Sequence, residues 1–69
     1  MKLYFGKTVE DSTFIAEVND EREANMEMGY YLTERGYDKP YYWRMWYSED
    51  GSYSIHDFGS WSYFFYLYE

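Results

Sequence analysis

Cysteine is absent from the 69-residue sequence, which excludes disulfide bonds and thiolate metal sites. There is one histidine, His56, and a single imidazole cannot form a histidine-rich metal site. His56 and Asp57 are neighbours on a predicted strand, so their side chains should point to opposite faces. No Gly-x-Ser-x-Gly elbow surrounds any of the serines. We therefore predict a protein that is not an enzyme and that holds neither a metal nor a cofactor.

Basic residues are also scarce, since 6 Lys and Arg stand against 13 Asp and Glu, which gives a net charge of −7. This balance disfavours direct contact with nucleic acid or with an anionic membrane, because both are bound through cationic surfaces. It favours a protein partner with a basic surface. No apolar stretch is long enough to span a membrane, and "MKLYFGKTVEDS" has charges where a secretory signal would be apolar. We therefore expect a cytoplasmic location.

The length predicts a single domain, residues 1–69, with a marginal core, because so short a chain buries only about 60% of its unfolded surface. Aromatic residues make up 28% of the chain. Each of them can bury roughly 150–250 Å², so they can replace the missing cross-links. Only Tyr4, Phe5 and Phe14 precede residue 30. The aromatic surface is therefore concentrated in the second half of the chain.

One helix is predicted in the segment that follows residue 19. Asp20 is a good N-cap, and Glu23 completes a capping-box-like pattern three residues later. Gly36 has the character of the residue that follows a helix C-terminus. Gly29 costs about 1 kcal/mol relative to Ala, and we interpret it as a point where the helix approaches the sheet closely. The stripe predicted to face the core comprises Ala24, Met28, Tyr31 and Leu32.

Five strands are predicted around this helix, from alternating or continuous runs of aromatic and β-branched residues. In the second strand, the alternation places Phe14, Ala16 and Val18 on one face. The predicted fold class is α+β: a small antiparallel sheet of four to five strands, in the order β-β-α-β-β-β, with one helix packed on one face. The predicted strands span residues 2–6, 13–19, 41–48, 52–58 and 61–68.

Two short turns fix the register of the last three strands. Asp50-Gly51 and Gly59-Ser60 are typical two-residue hairpin loops. Opposite charges and several aromatic residues then lie directly across from one another, which stabilises a sheet. The pairs predicted across the first turn are Trp43–Phe58, Arg44–Asp57 and Trp46–Ile55, and those across the second are Phe58–Trp61, His56–Tyr63 and Ile55–Phe64.

Both faces of this three-stranded meander carry aromatic residues, yet a single helix can cover only one of them. We assign the face richer in Trp, Met, Phe and Leu to the core beneath the helix. This predicted core face comprises Tyr41, Trp43, Met45, Tyr47, His56, Phe58, Trp61, Tyr63, Phe65 and Leu67. The opposite face mixes Tyr, Trp and Arg, which are enriched at interfaces. Its predicted partner-binding residues are Tyr42, Arg44, Trp46, Tyr53, Tyr66 and Tyr68.

Acidic residues crowd the first half of the chain. Glu23 and Glu27 are i, i+4 neighbours on the predicted helix, about 5–6 Å apart, a spacing near that of phosphates along a DNA strand. The hypothesis is that this surface steers a basic target and partly mimics DNA; the alternative is that it only keeps the protein soluble. The predicted acidic surface comprises Glu10, Asp11, Glu21, Glu23, Glu27, Glu34 and Asp38.

The segments "FGKTVEDSTFIAEV" and "SEDGSYSIHDFGSWSYFF" are similar in style to short products of bacteriophages of Gram-positive hosts. The chain resembles this class in its acidity, its aromatic content, its lack of cysteine and its one predicted helix. The resemblance implies an inhibitor in the host cytoplasm, such as an anti-CRISPR-like or host-takeover protein, that blocks a host enzyme by binding and occluding it. Together with the acidic surface, it leads us to expect a host nucleic-acid-binding protein with a basic surface as the target. The alternative is a homodimeric interaction module that buries its second aromatic face against its own copy.

Overall fold

The computed structural model describes residues 1–37, 43–60 and 62–69. It contains one helix and a five-stranded antiparallel sheet with the strand order β2-β1-β5-β4-β3, which confirms the predicted α+β fold. The elements are β1 (Lys2–Gly6), β2 (Ser12–Glu17), α1 (Glu21–Glu34), β3 (Arg44–Tyr47), β4 (Tyr53–Asp57) and β5 (Phe64–Tyr68).

The ends of α1 follow from the local sequence, as predicted. The Asp20 carboxylate accepts a 2.8 Å hydrogen bond from the Glu23 backbone N–H and so satisfies one of the free donors of the first turn. At the other end, the N–H groups of Gly36 and Tyr37 bond to the carbonyls of Thr33 and Leu32. Gly36 has a φ of 76°, so this is the Schellman ending that a glycine favours.

The first predicted hairpin is confirmed in register. Arg44 lies opposite Asp57, and Trp46 lies opposite Ile55. The loop closes through a hydrogen bond from the Gly51 N–H to the Ser48 carbonyl. The Asp50 carboxylate accepts hydrogen bonds from the Ser52 N–H and from the hydroxyls of Ser52 and Ser48. These bonds favour the charged carboxylate and lower the pKa of Asp50 to about 2.

The predicted register across the second turn is wrong by two residues. His56 lies opposite Phe65, not Tyr63. The reason is a longer loop, in which the Ser60 hydroxyl accepts hydrogen bonds from the N–H groups of Ser62 and Tyr63. Because the shift is an even number of residues, each β5 side chain keeps its predicted face of the sheet. Ile55 correspondingly lies opposite Tyr66 instead of Phe64, and the predicted partner Trp61 lies outside the described residues.

A second correction concerns β2, where the predicted alternation fails. The register shifts between Leu3 and Tyr4, so that Leu3 pairs with Ala16 and Tyr4 pairs with Phe14. This is a β-bulge, which places one extra residue on one strand. Ile15 and Ala16 therefore both pack against the core, whereas the Phe14 ring contacts Tyr4 at 5.5 Å. Phe14 lies on the outer face of the sheet, away from α1, and is 51% exposed.

The core lies between α1 and the centre of the sheet, where β1 and β5 pair. Phe65 is fully buried, and its ring centroid lies 4.9 Å from that of Phe5 and 5.5 Å from that of Phe58. The buried apolar residues that form this cluster are Leu3, Phe5, Val18, Ala24, Met28, Leu32, Phe58, Phe65 and Leu67. The buried stripe of α1 is therefore the predicted one, with Tyr31 at its margin.

The helix covers only part of the predicted core face. Five strands about 4.8 Å apart span roughly 19 Å between the outermost strand axes, whereas a helix with its side chains is about 10–12 Å wide. Trp43 before β3 and Met45 and Tyr47 within it are consequently exposed, Trp43 to 47%. These three residues were predicted to be core, and that prediction is wrong. Tyr41 and Trp61 lie outside the described residues.

We expect replacement of Trp43 by alanine to lower the free energy of unfolding by only about 1–2 kcal/mol. A fully buried aromatic residue would cost about 3–5 kcal/mol. The Trp43 ring does contact Phe58 and Phe65, each at 6.3 Å, but about half of it remains in water. Urea unfolding followed by circular dichroism measures the change. A loss as large as that of a buried core aromatic would contradict the exposed position of Trp43.

Candidate functional site

An apolar groove of about 770 Å³ runs between α1 and β3 on the helix side of the sheet. It occupies the part of the sheet that α1 leaves uncovered. Met45 and His56 lie on the sheet beneath it, and Tyr37 and Trp43 also line it. Groups of this kind, apolar and aromatic with a few polar atoms, line most binding sites in proteins. The groove is therefore the first candidate site.

The side of α1 that lines the groove carries small residues. Asn25, Gly29 and Thr33 lie four residues apart on one side of α1, and all three line the groove. A Cβ atom added at Gly29 would meet no atom within 4 Å. The prediction that Gly29 brings the helix close to the sheet is therefore wrong, because its missing side chain opens the wall of the groove instead.

Most of the exposed large apolar side chains lie around this groove. Among the described residues, Met26, Tyr30, Tyr37, Trp43 and Met45 are all exposed and all line it. Tyr47 continues the same row on β3. Exposed apolar side chains grouped on one part of a protein surface often mark a binding site. The sequence did contain a signal for this surface, since Met26 and Tyr30 fall outside the core stripe of the helix.

The predicted partner-binding residues lie on the opposite, outer face of the sheet. Arg44, Trp46, Tyr53, Tyr66 and Tyr68 share that face, and Tyr42 lies outside the described residues. They form a packed aromatic layer, in which the Tyr53 ring lies 4.9 Å from Tyr68 and 6.2 Å from Tyr66. Tyr66 is buried and its hydroxyl donates a 3.4 Å hydrogen bond to the Gly6 carbonyl, so Tyr66 offers little surface to a partner.

The outer layer is mostly neutral. Burial raises the pKa of Tyr66 and of Tyr68, and the neighbouring Tyr53 adds to both shifts. At the β3 edge of this face, the Arg44 guanidinium forms a 3.3 Å ion pair with Asp57 and lies 4.9 Å from the Trp46 ring centroid. Arg44 and Trp46 belong to β3, so this strand presents side chains to both the outer face and the helix side.

His56 is buried beneath the groove and forms a hydrogen-bonded pair with Ser54. The Ser54 hydroxyl lies 2.9 Å from His56 Nε2. Burial lowers the pKa of His56, and the charge of Glu21 opposes this shift. Asp57 points to the other face, as predicted, and pairs with Arg44 instead. Ser54 is buried and does not line the groove, so the pair satisfies two buried polar groups and presents no nucleophile there.

The lowered pKa of His56 predicts a loss of stability in mild acid. The unfolded chain takes up a proton near the ordinary value of 6.5, whereas the folded protein takes it up only at lower pH. Between these two values the unfolded state binds more protons, so the free energy of unfolding falls as the pH drops below 6.5. Urea unfolding at a series of pH values measures this slope. The His56→Gln variant should show a smaller dependence of the free energy of unfolding on pH. An unchanged dependence would mean that carboxylates, and not His56, cause the loss of stability.

The acidic residues are divided among separate parts of the molecule. Glu10 and Asp11 lie in the loop between β1 and β2, and Asp38 lies outside the described residues. Of the acids on α1, Glu21 lines the groove. Each residue turns the helix by about 100° around its axis. On this basis the side chains of Glu23, Glu27 and Glu34 point in similar directions, more than about 100° away from the direction of Gly29. They therefore lie on the flank away from the groove.

Comparisons with protein-family models, with curated proteins and with solved structures found no match to this chain. No helix in the described residues has the length and apolar character needed to cross a membrane. Within the same residues, no group of three or more His, Cys, Asp or Glu side chains could hold a metal ion. We therefore infer the function from the geometry of the groove and of β3.

Proposed function

We propose that the chain is a non-enzymatic protein that binds another protein and occludes part of its surface, with the groove and β3 as its contact site. The observation that carries this proposal is the set of large apolar side chains exposed around one groove: Met26, Tyr30, Tyr37, Trp43 and Met45. Rims of polar residues around an apolar centre are typical of protein interfaces. Glu21, Asn25, Thr33 and Arg44 are the polar residues that line the groove beside these apolar side chains, together with His56.

The partner in this proposal has a basic surface. The net charge of −7 attracts such a surface over a distance and raises the rate of association, more so at low salt. Glu23, Glu27 and Glu34 lie away from the groove, so their proposed role is to steer the partner and not to contact it. A host nucleic-acid-binding protein fits this description of the partner. The chain itself would then act as an inhibitor of the bacteriophage class that its sequence resembles.

The outer face has a smaller part in this proposal than the sequence suggested. Of the members of the predicted set that the structure describes, Trp46 and Arg44 are exposed, and both lie on β3 next to the groove. Tyr53 and Tyr68 are half-buried within the aromatic layer and Tyr66 is buried. A partner that covers β3 from the helix side can therefore reach Trp46 and Arg44 around the sheet edge, without covering the whole outer face.

Capture of proteins from a bacterial lysate by the immobilised chain tests the proposal. Trp43→Ala alters the groove, and Phe14→Ala removes an aromatic ring of similar exposure from the outer face near β2. We expect a basic protein to be retained by the wild type and by Phe14→Ala, and to be lost with Trp43→Ala. Equal retention by all three, or loss with Phe14→Ala alone, would reject the groove as the contact site. Circular dichroism verifies that both variants are folded.

A homodimer is the second candidate, because β3 forms an edge of the sheet and has exposed side chains on both faces. Such edges tend to pair with another chain. We nevertheless expect one chain mass, 8.6 kDa, in sedimentation at micromolar concentration, since two chains of net charge −7 repel each other. A mass of twice that value would favour the dimer.

A further inference from the structure

We propose that the groove binds one amphipathic α-helix of the partner protein, with an apolar face towards the sheet and a basic face towards solvent. This inference rests on the proposed function and specifies the part of the partner that enters the groove. The helix would lie beside α1 as a second helix on the same face of the sheet. It would cover the side chains that α1 leaves exposed.

The dimensions of the sheet leave space for this second helix. The sheet spans roughly 19 Å between its outermost strand axes, and packed helix axes are about 8–10 Å apart. The buried stripe of α1, Ala24, Met28 and Leu32, packs with Leu3, Phe5, Phe65 and Leu67 from the central strands β1 and β5. The strip over β3 and the outer part of β4 therefore has the width of one further helix.

The exposed flank of α1 suits close contact with another helix. Asn25, Gly29 and Thr33 present two short polar side chains and a glycine along the groove. The distance between packed helices depends on the side chains at their contact, and small ones allow close approach. Met26 and Tyr30 lie nearer the top of the same flank, both exposed. The Met26 and Tyr30 side chains would contact the apolar side of the incoming helix.

The base of the groove favours apolar side chains at helical spacing. Met45 and Trp43 present exposed apolar surface, and His56 is held neutral by burial at neutral pH. Glu21 and Arg44 are the charged residues of the groove lining, among the residues that the structure describes. A partner helix would place residues i, i+3, i+4 and i+7 on this surface, as helices do in other hydrophobic grooves.

An added β-strand fits the groove less well than a helix does. The Ser48 N–H bonds to the Tyr53 carbonyl, and inward and outward bonding alternate along an antiparallel pair. The N–H groups of Met45 and Tyr47 therefore point away from β4, towards the free edge. A strand paired there would extend the sheet sideways and leave the groove above Met45 and His56 uncovered. A helix in the groove covers both.

The charge of the chain determines the polar face of the partner helix. The net charge is −7, so Lys and Arg on the solvent side of that helix are attracted and Asp and Glu are repelled. Lys and Arg side chains can also lay their aliphatic stems over Tyr30 and Tyr37 at the rim, with the charged ends in water. The occupant we propose is therefore a basic amphipathic helix.

Binding of two labelled peptides to the intact protein tests this inference. One is a Leu/Lys peptide of about 14 residues, the length of α1, with its leucines at helical spacing. The other has the same composition with the leucines out of that spacing. In fluorescence anisotropy we expect the amphipathic peptide to bind at least about tenfold more tightly, which corresponds to about 1.4 kcal/mol. Equal affinities of the two peptides would mean that binding depends on charge alone, and would overturn the proposal.

Substitutions in α1 and β3 locate the binding site. Gly29→Leu fills the groove wall and should weaken binding by about tenfold or more, whereas Gly29→Ala adds one methyl group and should change it less than about twofold. Tyr47→Pro and Tyr47→Ala both remove the Tyr47 side chain, but only proline also removes the outward N–H of β3. The two variants should therefore bind with equal affinity, since proline is tolerated on a free edge. If Gly29→Leu does not fold, Thr33→Trp on the next turn blocks the same wall.

The outcomes separate this inference from the proposed function. Full binding to the groove-filling variant, or weaker binding by Tyr47→Pro than by Tyr47→Ala, would overturn the helix proposal. If Trp43→Ala abolishes capture of a lysate protein but the amphipathic peptide does not compete for that capture, the proposed function stands and the helix proposal fails. If capture is independent of Trp43, the proposed function itself fails.

Discussion

Replacing Phe65 with alanine should remove most of the free energy of unfolding of this protein. Phe65 is 0% exposed, and its ring contacts those of Phe5, Phe58 and Tyr31 within 6 Å. Removing it leaves a cavity at the centre of the core, which costs about 3–5 kcal/mol. Small domains have total stabilities of about 5–15 kcal/mol, and so short a chain is expected near the lower end. Urea unfolding followed by circular dichroism measures the loss.

Phe64→Ala is the matched control for this prediction. Phe64 is the neighbour of Phe65 on β5, but its side chain lies on the outer face, half-buried, with its ring 6.1 Å from that of Trp46. The same chemical change should therefore cost clearly less at this position. If the two substitutions cost the same within about 0.5 kcal/mol, the assignment of the core to the helix side would be wrong.

Local signals in the sequence were sufficient to predict the helix ends and the first hairpin. Asp20 and Gly36 act within one turn of the helix, through hydrogen bonds to their own neighbours. Asp50 and Gly51 similarly act within the loop that they form. The ion pair between Arg44 and Asp57 then agrees with the register that this loop sets. Each of these features depends on residues at most about a dozen positions apart.

Two predictions failed, the register of β5 and the alternation in β2. In each case the loop or strand contains more residues than a regular turn or pairing would. The Ser60 hydroxyl bonds to the N–H groups of Ser62 and Tyr63 and lengthens the loop, although Gly59-Ser60 is also a good two-residue turn. The bulge at Ile15 places two adjacent apolar residues, Ile15 and Ala16, on the core side. Phe14 and Ile15 are both apolar, so the alternation pattern could not show which of them faces the core.

The groove could not be predicted, because it depends on the order of the strands. β1 pairs with β5 from the other end of the chain, with Leu3 opposite Leu67, and this pairing places both at the centre of the sheet. The helix follows β2 at one edge and packs over that centre. β3 lies at the other edge, beyond its reach. The sequence identified the correct face of the sheet but not the half of it that stays exposed.

The position of β3 also changes which residues carry the candidate site. Sequence reasoning selected the outer face because it is rich in Tyr, Trp and Arg. In the structure that face is a packed layer with Tyr66 buried inside it, and most of the exposed large apolar residues lie on the helix side. Interface-like composition therefore did not identify accessible surface here. Aromatic residues that pack edge to face on one another, as Tyr4 and Tyr68 do, can cover a sheet face by themselves.

Two glycine-to-alanine substitutions should have opposite effects on stability, and Gly6→Ala should have the larger one. A Cβ atom at Gly6 would overlap the Asp11 carbonyl oxygen and lie 2.5 Å from the Ser12 Cα. Both are backbone atoms, Asp11 directly before β2 and Ser12 at its start, so they cannot move without separating Gly6 from Ser12, its partner in the sheet. Overpacking typically costs about 1–3 kcal/mol, and backbone contacts this close should reach about 3 kcal/mol or more.

Gly29→Ala should instead stabilise the protein by up to about 1 kcal/mol, because alanine favours the helix more than glycine does and its methyl group would meet no other atom. Both free energies of unfolding come from the same urea titrations. A change of less than about 0.5 kcal/mol for Gly6→Ala would mean that β1 and β2 do not approach as closely as described. A loss of stability for Gly29→Ala would mean that other atoms of the chain already fill the groove beside Gly29, and that a partner helix has no room there.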